Sequence, residues 1–588
     1  MDSNLFATKS IEQLVSDVEH SGRSLRRSLT AWDLTLLGIG AIIGTGIFVL
    51  TGTAAANQAG PAITMSYLAA GLACAFAALC YAEFASMIPI AGSAYTYAYA
   101  TLGELVAWMI GWDLILEYAV GSMTVAIGWS GYMQRLLSGV GIVLPLSLAA
   151  APPVGVVNLL AMLIVLVIMI LLVIGIRESA RANAVMVMIK LVAVVFFLGA
   201  GVTYVKPANW SPFAPYGWSG IMAAAAVVFF AYIGFDAVST TAEEAKNPKR
   251  DLPIGIIASL VVCTALYLAV ALVLAGIIPV AQFRSSADAL PGTPVVPPEE
   301  AVRFLNAPVA YALATIGQDW ASYLVSAGAV AGITSVLLVM LMSQPRIFFA
   351  MSRDGLLPHG VSKVHARFGT PYITTIITCV VVALVAGVTQ IQVVGEMTSI
   401  GTLFAFVVVC SAVLMLRVKR PDAHRPFRVP AGPVFPVLGI LSCAYLMLSL
   451  PVITWVRFLV WLNIGLMIYW FYGRSHSPLA NREEMRRRTP LQALANFVLV
   501  FGALGIFNGI CMFLLGILTQ IGVTTETTAK WSELDALTSR YLGVGVSADS
   551  AHIFGLQLLG VAVIVYVLGW ILARASGETL TPPSGQRA

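Results

Sequence analysis

Long apolar runs, each close to one bilayer crossing in length and parted by short polar stretches, recur from residue 32 to residue 573. About 20 residues of α-helix cross a hydrocarbon core, and backbone polar groups inside lipid have to be satisfied within the segment itself. A chain with this pattern folds as an all-α membrane protein of many spans. Composition agrees: 59% of the 588 residues are hydrophobic and 10% are charged, where soluble domains carry about 25% charged residues.

Fourteen transmembrane helices are expected, at 32–56, 61–86, 104–135, 154–175, 184–204, 218–243, 253–277, 319–349, 371–388, 396–416, 433–450, 455–473, 493–518 and 551–573. They divide the chain into an N-terminal segment at 1–31, a core at 32–416, two helices within 433–473, two extra C-terminal helices within 493–573 and a tail at 574–588. An amphipathic stretch at Ile11–Val18 precedes the spans, and a Pro/Gly/Ser-rich end at 577–588 has the composition of a disordered segment. Cytoplasmic loops retain positive charge. Most of the 33 Lys and Arg fall on the side of the N-terminus, among them Arg26, Arg27, Lys246, Lys249, Arg250, Arg417, Lys419 and Arg420. Both termini are therefore expected in the cytoplasm, with the chain in the cell membrane.

Several classes are excluded by the same inventory. A net charge of +5 spread over the whole chain makes no nucleic-acid surface. The seven cysteines sit in apolar runs without CxxC spacing and read as small core residues. The polar N-terminus, running to Ser28, lacks the pattern of a cleaved signal, so the first span is expected to stay in the mature protein. No GxxxxGK[ST], HExxH or strand-bound GxGxxG motif occurs, so no cofactor, metal or enzyme chemistry is expected. No histidine falls mid-membrane, which leaves any proton traffic to a lysine or a carboxylate.

The first span carries Gly38-Ile39-Gly40-Ala41-Ile42-Ile43-Gly44-Thr45-Gly46, and the sixth carries Phe229-Phe230-Ala231-Tyr232-Ile233-Gly234-Phe235-Asp236. Glycines in membrane helices also serve close packing, but this density at the head of each half matches the broken helices of transporters built on repeats. Two halves of five spans, 32–204 and 218–416, then run in opposite directions because five is odd. A 5+5 inverted repeat with broken helices 1 and 6 is the expected core.

An interrupted helix bares N–H groups at one new end and carbonyls at the other, with partial charges of opposite sign. Amides around Gly44, Thr45 and Gly46 suit a carboxylate, while carbonyls near Ile42, Phe230, Ala231 and Ile233 suit an ammonium. An α-amino acid supplies both groups from its own backbone.

Ionisable residues inside the membrane are costly and mark function by default. Lys190 lies about 10 Å along its helix from Asn183. Snorkelling to the interface is the competing reading. Its amine is expected to fill the place of a coupling cation, against carbonyls of the broken first helix and the hydroxyls of Thr334 and Ser335. Desolvation disfavours a charged amine, so such a group can load and release a proton. Glu117, within the third span, and Asp236, after the sixth-span break, are candidates for the cavity or its gate, with helix capping the alternative for Asp236. Glu83, Glu104, Glu243 and Glu244 lie near span ends, where pairing with Lys or Arg is expected.

These residues resemble a known family. The run Ile42-Ile43-Gly44-Thr45-Gly46-Ile47-Phe48, Tyr81-Ala82-Glu83-Phe84 with Pro89 to Tyr97, Gly111-Trp112 leading to Glu117-Tyr118, Gly234-Phe235-Asp236 through Lys246-Asn247-Pro248, and Gln344-Pro345-Arg346 through Leu357-Pro358 are similar to bacterial members of the cationic amino acid transporter family, in the amino acid–polyamine–organocation superfamily. The similarity covers roughly residues 25–475. It implies the fold of the sodium-coupled leucine transporter with protons replacing sodium. It also implies substrate contacts at Ile42, Thr45, Gly46, Glu117, Phe230, Ala231, Ile233 and Asp236, a side-chain-facing position at Ile333, and a proton-coupling role for Lys190. The last two spans exceed the twelve common in bacterial relatives and are open to a helix partner or a homo-oligomer contact. The expected function is proton-coupled uptake of L-amino acids by alternating access. A cationic amino acid or polyamine exchanger without proton flux, and a membrane sensor or interaction subunit, are the alternatives.

Overall fold

The computed structural model describes residues 29–88, 93–175, 180–240, 245–284, 296–358, 363–365, 370–477, 490–520 and 551–575, with a few isolated positions besides. The stretches Ile11–Val18 and 577–588, and Glu243 and Glu244, lie outside them. Among the described residues the chain is helical, with one isolated bridge between Leu29 and Ala245 and no strand.

The first helix, α1 (Ala31–Ile42), starts on a capping box: the Asp33 N–H donates to Thr30 Oγ1 at 3.3 Å, and the Thr30 N–H donates to the Asp33 carboxylate at 2.9 Å. It stops at Ile43, whose ψ of 105° is extended, and helical turns resume at Gly46 and continue to residue 59. There follow α2 (Ile63–Met87), α3 (Ser93–Thr101), α4 (Glu104–Gly139), α5 (Leu159–Ile174) and α6 (Ala180–Val202). The next helix, α7 (Gly217–Val228), tightens into a 3-10 turn at Phe229–Tyr232 and is interrupted at Ile233 and Gly234 before α8 (Ala237–Thr240). Then come α9 (Pro248–Ile277), α10 (Pro298–Asn306), α11 (Pro308–Thr315), α12 (Asp319–Arg353), α13 (Tyr372–Val388), α14 (Ile391–Lys419), α15 (Val434–Leu448), α16 (Val452–Ile468), α17 (Pro490–Gln520) and α18 (Ala551–Ala575).

Helix is present in every expected span, with shifted edges. The fourth starts at Leu159, where the Asn158 side chain caps it by accepting from the Ala161 N–H at 3.2 Å, and it ends on Gly175 in the left-handed conformation. The third runs on to Gly139 and the eighth to Arg353. Nine helices among the described residues are long and apolar enough to cross a membrane, and five apolar helices are shorter. Two of the shorter ones, Ala31–Ile42 and Gly217–Tyr232, are short because the chain breaks where they end. Large apolar side chains face outward at helical spacing, as Leu163, Val167, Ile170 and Ile174 do on α5.

The last two helices form an antiparallel pair sealed by small residues. A Cβ on Gly505 would lie 2.7 Å from Ala562 Cβ, and one on Gly509 would lie 2.7 Å from Leu559 N. The pair meets the rest of the bundle at α16, where Asn463 Nδ2 donates to Asn508 Oδ1 at 3.2 Å and Val452 packs with Met512 and Leu515.

Candidate functional site

The two interruptions cross each other. A Cβ on Gly46 would sit 2.3 Å from Ala231 Cα, and one on Gly234 would sit 2.9 Å from the Ala41 carbonyl carbon. Gly234 has φ +118°, a conformation that other residues rarely adopt, so it serves the turn and the close approach together. From the third side α4 comes equally close, with Gly128 leaving room for Thr45 Cγ2 at 2.4 Å from its own ideal Cβ position. Backbone is thereby brought to backbone in the interior, where side chains would otherwise separate the helices.

Every residue expected to bind substrate is buried around this crossing. Ile42, Thr45, Glu117, Phe230, Ala231, Ile233, Asp236 and Ile333 are all at most 4% exposed, and Gly44 and Gly46 are buried too. The Thr45 hydroxyl, at the start of the resumed helix, has no hydrogen-bond partner among the described residues. The first amides of a helix lack intrahelical acceptors, so this end offers N–H groups and a hydroxyl together.

Lys190, on α6, is completely buried. Its Nζ donates to the carbonyls of Gly40 at 2.5 Å and Ile43 at 3.0 Å and reaches Ser335 Oγ at 3.4 Å. Those carbonyls are freed because α1 ends beside them. The lysine stem lies on Gly332 of α12, whose Cβ would come within 2.8 Å of Lys190 Cβ. The snorkelling alternative is thus excluded by position. Thr334, expected beside the amine, turns its hydroxyl elsewhere: it accepts from Trp129 Nε1 at 2.9 Å and donates to the Val330 carbonyl at 2.6 Å. Adjacent helix positions point about 100° apart, so Thr334 and Ser335 do not share a face.

A layer of buried tyrosines brackets the crossing, and sequence reasoning missed it. The Tyr267 hydroxyl lies 2.7 Å from the Ala231 carbonyl and 3.0 Å from the Ile42 carbonyl, its single hydrogen shared between the two broken helices. Tyr67 donates to the Gly46 carbonyl at 3.1 Å and meets Thr51 Oγ1 at 2.7 Å, while Tyr232 donates to the Tyr67 carbonyl at 2.8 Å. Tyr132 donates to the Phe48 carbonyl at 2.6 Å. The missed signal was chemical: a buried tyrosine needs a partner for its hydroxyl, and irregular backbone is where carbonyls are free. Two carbonyls expected for a substrate ammonium, those of Ile42 and Ala231, therefore already accept from Tyr267; each retains a second lone pair.

Glu117 and Asp236 are electrostatic neighbours, and both act on the buried Tyr81 and Tyr118. The Asp236 carbonyl accepts from the Ser239 N–H at 2.8 Å and the Ser239 hydroxyl at 2.5 Å, opening α8. Glu83 pairs with Arg417, whose Nη2 is 2.5 Å from Oε2, and with Arg425 at 3.4 Å. Glu104 departs from the expected pairing with Lys or Arg: it accepts from hydroxyls, those of Tyr99 at 3.0 Å, Tyr469 at 2.9 Å and Ser477.

A bundle of apolar helices with two interrupted members crossing in its interior defines a multi-pass membrane protein of the transporter class. The family model described as amino acid permease matches residues 29–472, and the chain belongs to that family. It is 50% identical over 486 residues to the branched-chain amino acid permease BcaP of Bacillus subtilis, covering 82% of this chain and 100% of that one. It is 47% identical over 480 residues to the methylthioribose transporter of the same organism, covering 81% and 99%. The vacuolar cationic amino acid transporter 4 of Arabidopsis thaliana is 33% identical over 595 residues, covering 80% and 95%.

Proposed function

We propose that the protein is a secondary active transporter that takes up L-amino acids across the cell membrane, coupled to protons, by alternating access. The observation that carries this reading is the crossing itself, with the unpartnered Thr45 hydroxyl at the bared amide end of the first helix. Under it, a substrate carboxylate docks at Gly44, Thr45 and Gly46. The ammonium docks at the carbonyls of Phe230, Ala231, Ile233 and Ile42, and the side chain meets Ile333. Lys190 stands where a coupling cation would, held by Gly40 and Ile43, and exchanges the transported proton. Glu117 and Asp236 flank the route.

The core then comprises two inverted halves of five spans, 32–204 and 218–416, within fourteen in all, and both termini face the cytoplasm. The names of the relatives favour branched-chain and cationic amino acids, and apolar Ile333 favours the former. Methylthioribose is a second reading, drawn from the 47% identical relative, but it carries neither pole of a zwitterion.

The test is uptake by the full-length protein in proteoliposomes, with radiolabelled leucine competed by the twenty amino acids, putrescine and methylthioribose, with and without an inward proton gradient. Saturable leucine uptake driven by the gradient supports the reading. Uptake that ignores the gradient and requires internal counter-substrate replaces it with exchange. Saturable uptake of methylthioribose alone, or no uptake by the chain at all, overturns it.

A further inference from the structure

A third carboxyl, outside the arrangement described so far, lies one turn before Glu117. Asp113 is fully buried, and among the described residues neither of its carboxyl oxygens has a hydrogen-bond partner. Residues four apart share a helix face, so Asp113 and Glu117 are displaced by about 6 Å along the same side of α4. Helix α14 packs there. A Cβ on Gly401 would come within 2.8 Å of Asp113 Oδ1, and the next residue, Thr402, faces Glu117. From α12 comes Gln344, 3% exposed, with Nε2 reaching the Ile115 carbonyl at 3.5 Å and Oε1 unpartnered.

Among the described residues Glu117 is the charged group that acts on Asp113. Arg346 of α12 acts on Tyr118, and Arg417 of α14 is committed to Glu83. A carboxylate with neither a donor nor a counter-charge is costly in such surroundings, and an uncharged carboxylic acid is much less so. A neutral acid beside a second carboxyl is a place where a proton can arrive and leave when the helices around it rearrange.

We propose that Asp113 is a proton-carrying residue of the transport cycle, relaying protons between Glu117 and the N-terminal side of α4. This deepens the proton-coupled reading and rests on it. In the step, the surrounding helices first rearrange to open Asp113 to water on the N-terminal side of α4 and to bring the two carboxyls within hydrogen-bond reach, directly or through one water. Asp113 then gives its proton to the water on that side, and the O–H bond of protonated Glu117 breaks as an O–H bond forms on the Asp113 carboxylate. One bond is made and one broken, and the summed charge of the two carboxyls is unchanged in the transfer. Gly401 matters because any side chain there would press on the carboxyl.

The experiment compares wild type, Asp113→Asn and Asp113→Glu as full-length protein in proteoliposomes, with leucine as probe and a pH-sensitive dye in the lumen. Proton entry per leucine is expected to fall about tenfold or more in Asp113→Asn and to recover in Asp113→Glu. Infrared difference spectra with and without leucine give an independent readout. The expected result is a protonated-carboxyl band that changes in wild type, shifts in Asp113→Glu and is missing in Asp113→Asn. Should the Asn variant not fold, the shift between wild type and Asp113→Glu decides alone, and an unshifted band overturns the inference. A wild-type proton-to-leucine ratio in Asp113→Asn overturns it while leaving the proton-coupled reading intact. Absence of leucine-driven proton entry in wild type overturns both.

Discussion

The amine of Lys190 and the carbonyl of Ile43 are 3.0 Å apart, which ties α6 to the residue where α1 stops being a helix. A cationic side chain thereby satisfies backbone that the break leaves without an intrahelical donor, and the break persists because something answers it. Lys190→Ala is expected to abolish stimulation of uptake by an inward proton gradient while leucine affinity stays within about tenfold, since the amides of the cradle do not depend on the amine. Uptake and equilibrium binding at two pH values measure this. Gradient-stimulated uptake in the mutant at the wild-type level would remove Lys190 from the coupling step.

Glycines 44 and 46 are two residues apart but stand differently. A methyl group at Gly46 collides with Ala231 backbone at 2.3 Å, whereas one at Gly44 meets the tip of Val336 at 3.2 Å. Gly46→Ala is expected to destabilise the protein by about 1–3 kcal/mol and to lose leucine binding, as overpacking against backbone cannot be relieved by a rotamer change. Gly44→Ala is expected to retain most of both, and Gly44→Val to lose binding because a branched side chain crowds the cradle. Thermal unfolding in detergent and scintillation proximity binding separate the three. Equal behaviour of the two alanine variants would contradict the crossing geometry.

Tyr267→Phe removes one hydroxyl and leaves two buried carbonyls without it. Buried polar groups deprived of a partner cost about 1–3 kcal/mol, so a lower unfolding midpoint is expected together with a raised KM for leucine. A leucine ammonium would have to organise both carbonyls unaided. Wild-type stability and KM in this variant would show that the hydroxyl is not what joins the two broken helices.

Glu83 holds Arg417 through a pair in which the arginine side chain is 14% exposed and the glutamate 2%, and it also accepts from the Val429 N–H at 2.8 Å. Breaking a buried pair by deleting one partner costs about 3–5 kcal/mol, because the other charge is stranded. Arg417→Ala is accordingly expected to reduce the yield of folded protein and to lower its melting temperature more than Arg425→Ala, whose contact to Glu83 is longer at 3.4 Å. The reverse order by fluorescence-detected chromatography would reject this ranking.

Removing α17 and α18 is expected to leave uptake and KM for leucine close to those of the full chain. The family match ends at residue 472, and the pair meets the rest mainly on α16, through Asn508, Met512 and Leu515. A truncation after residue 477, assayed for transport and for oligomeric state by light scattering, tests this. Loss of transport with an intact fold would assign the pair to the transport machinery.

Which stretches are helix, where two of them break and that Lys190, Glu117 and Asp236 are interior candidates could be read from the amino-acid string, whereas Asp113 does not stand out there. Span length is set by the bilayer, and a break is a local property of residues such as Gly44 and Gly234. Which face of each helix meets which neighbour could not. Lipid tails are as apolar as a leucine-rich interior, so an apolar helix carries little pattern to say which side turns inward. Only packing put Lys190 on Gly40 and Ile43, turned Thr334 to Trp129, hung Ile42 and Ala231 on one tyrosine hydroxyl, surrounded Glu104 with hydroxyls and left Asp113 sealed without a hydrogen-bond partner among the described residues. Each of these contacts joins residues far apart in the chain, or isolates one of them, and so depends on where other helices come to rest.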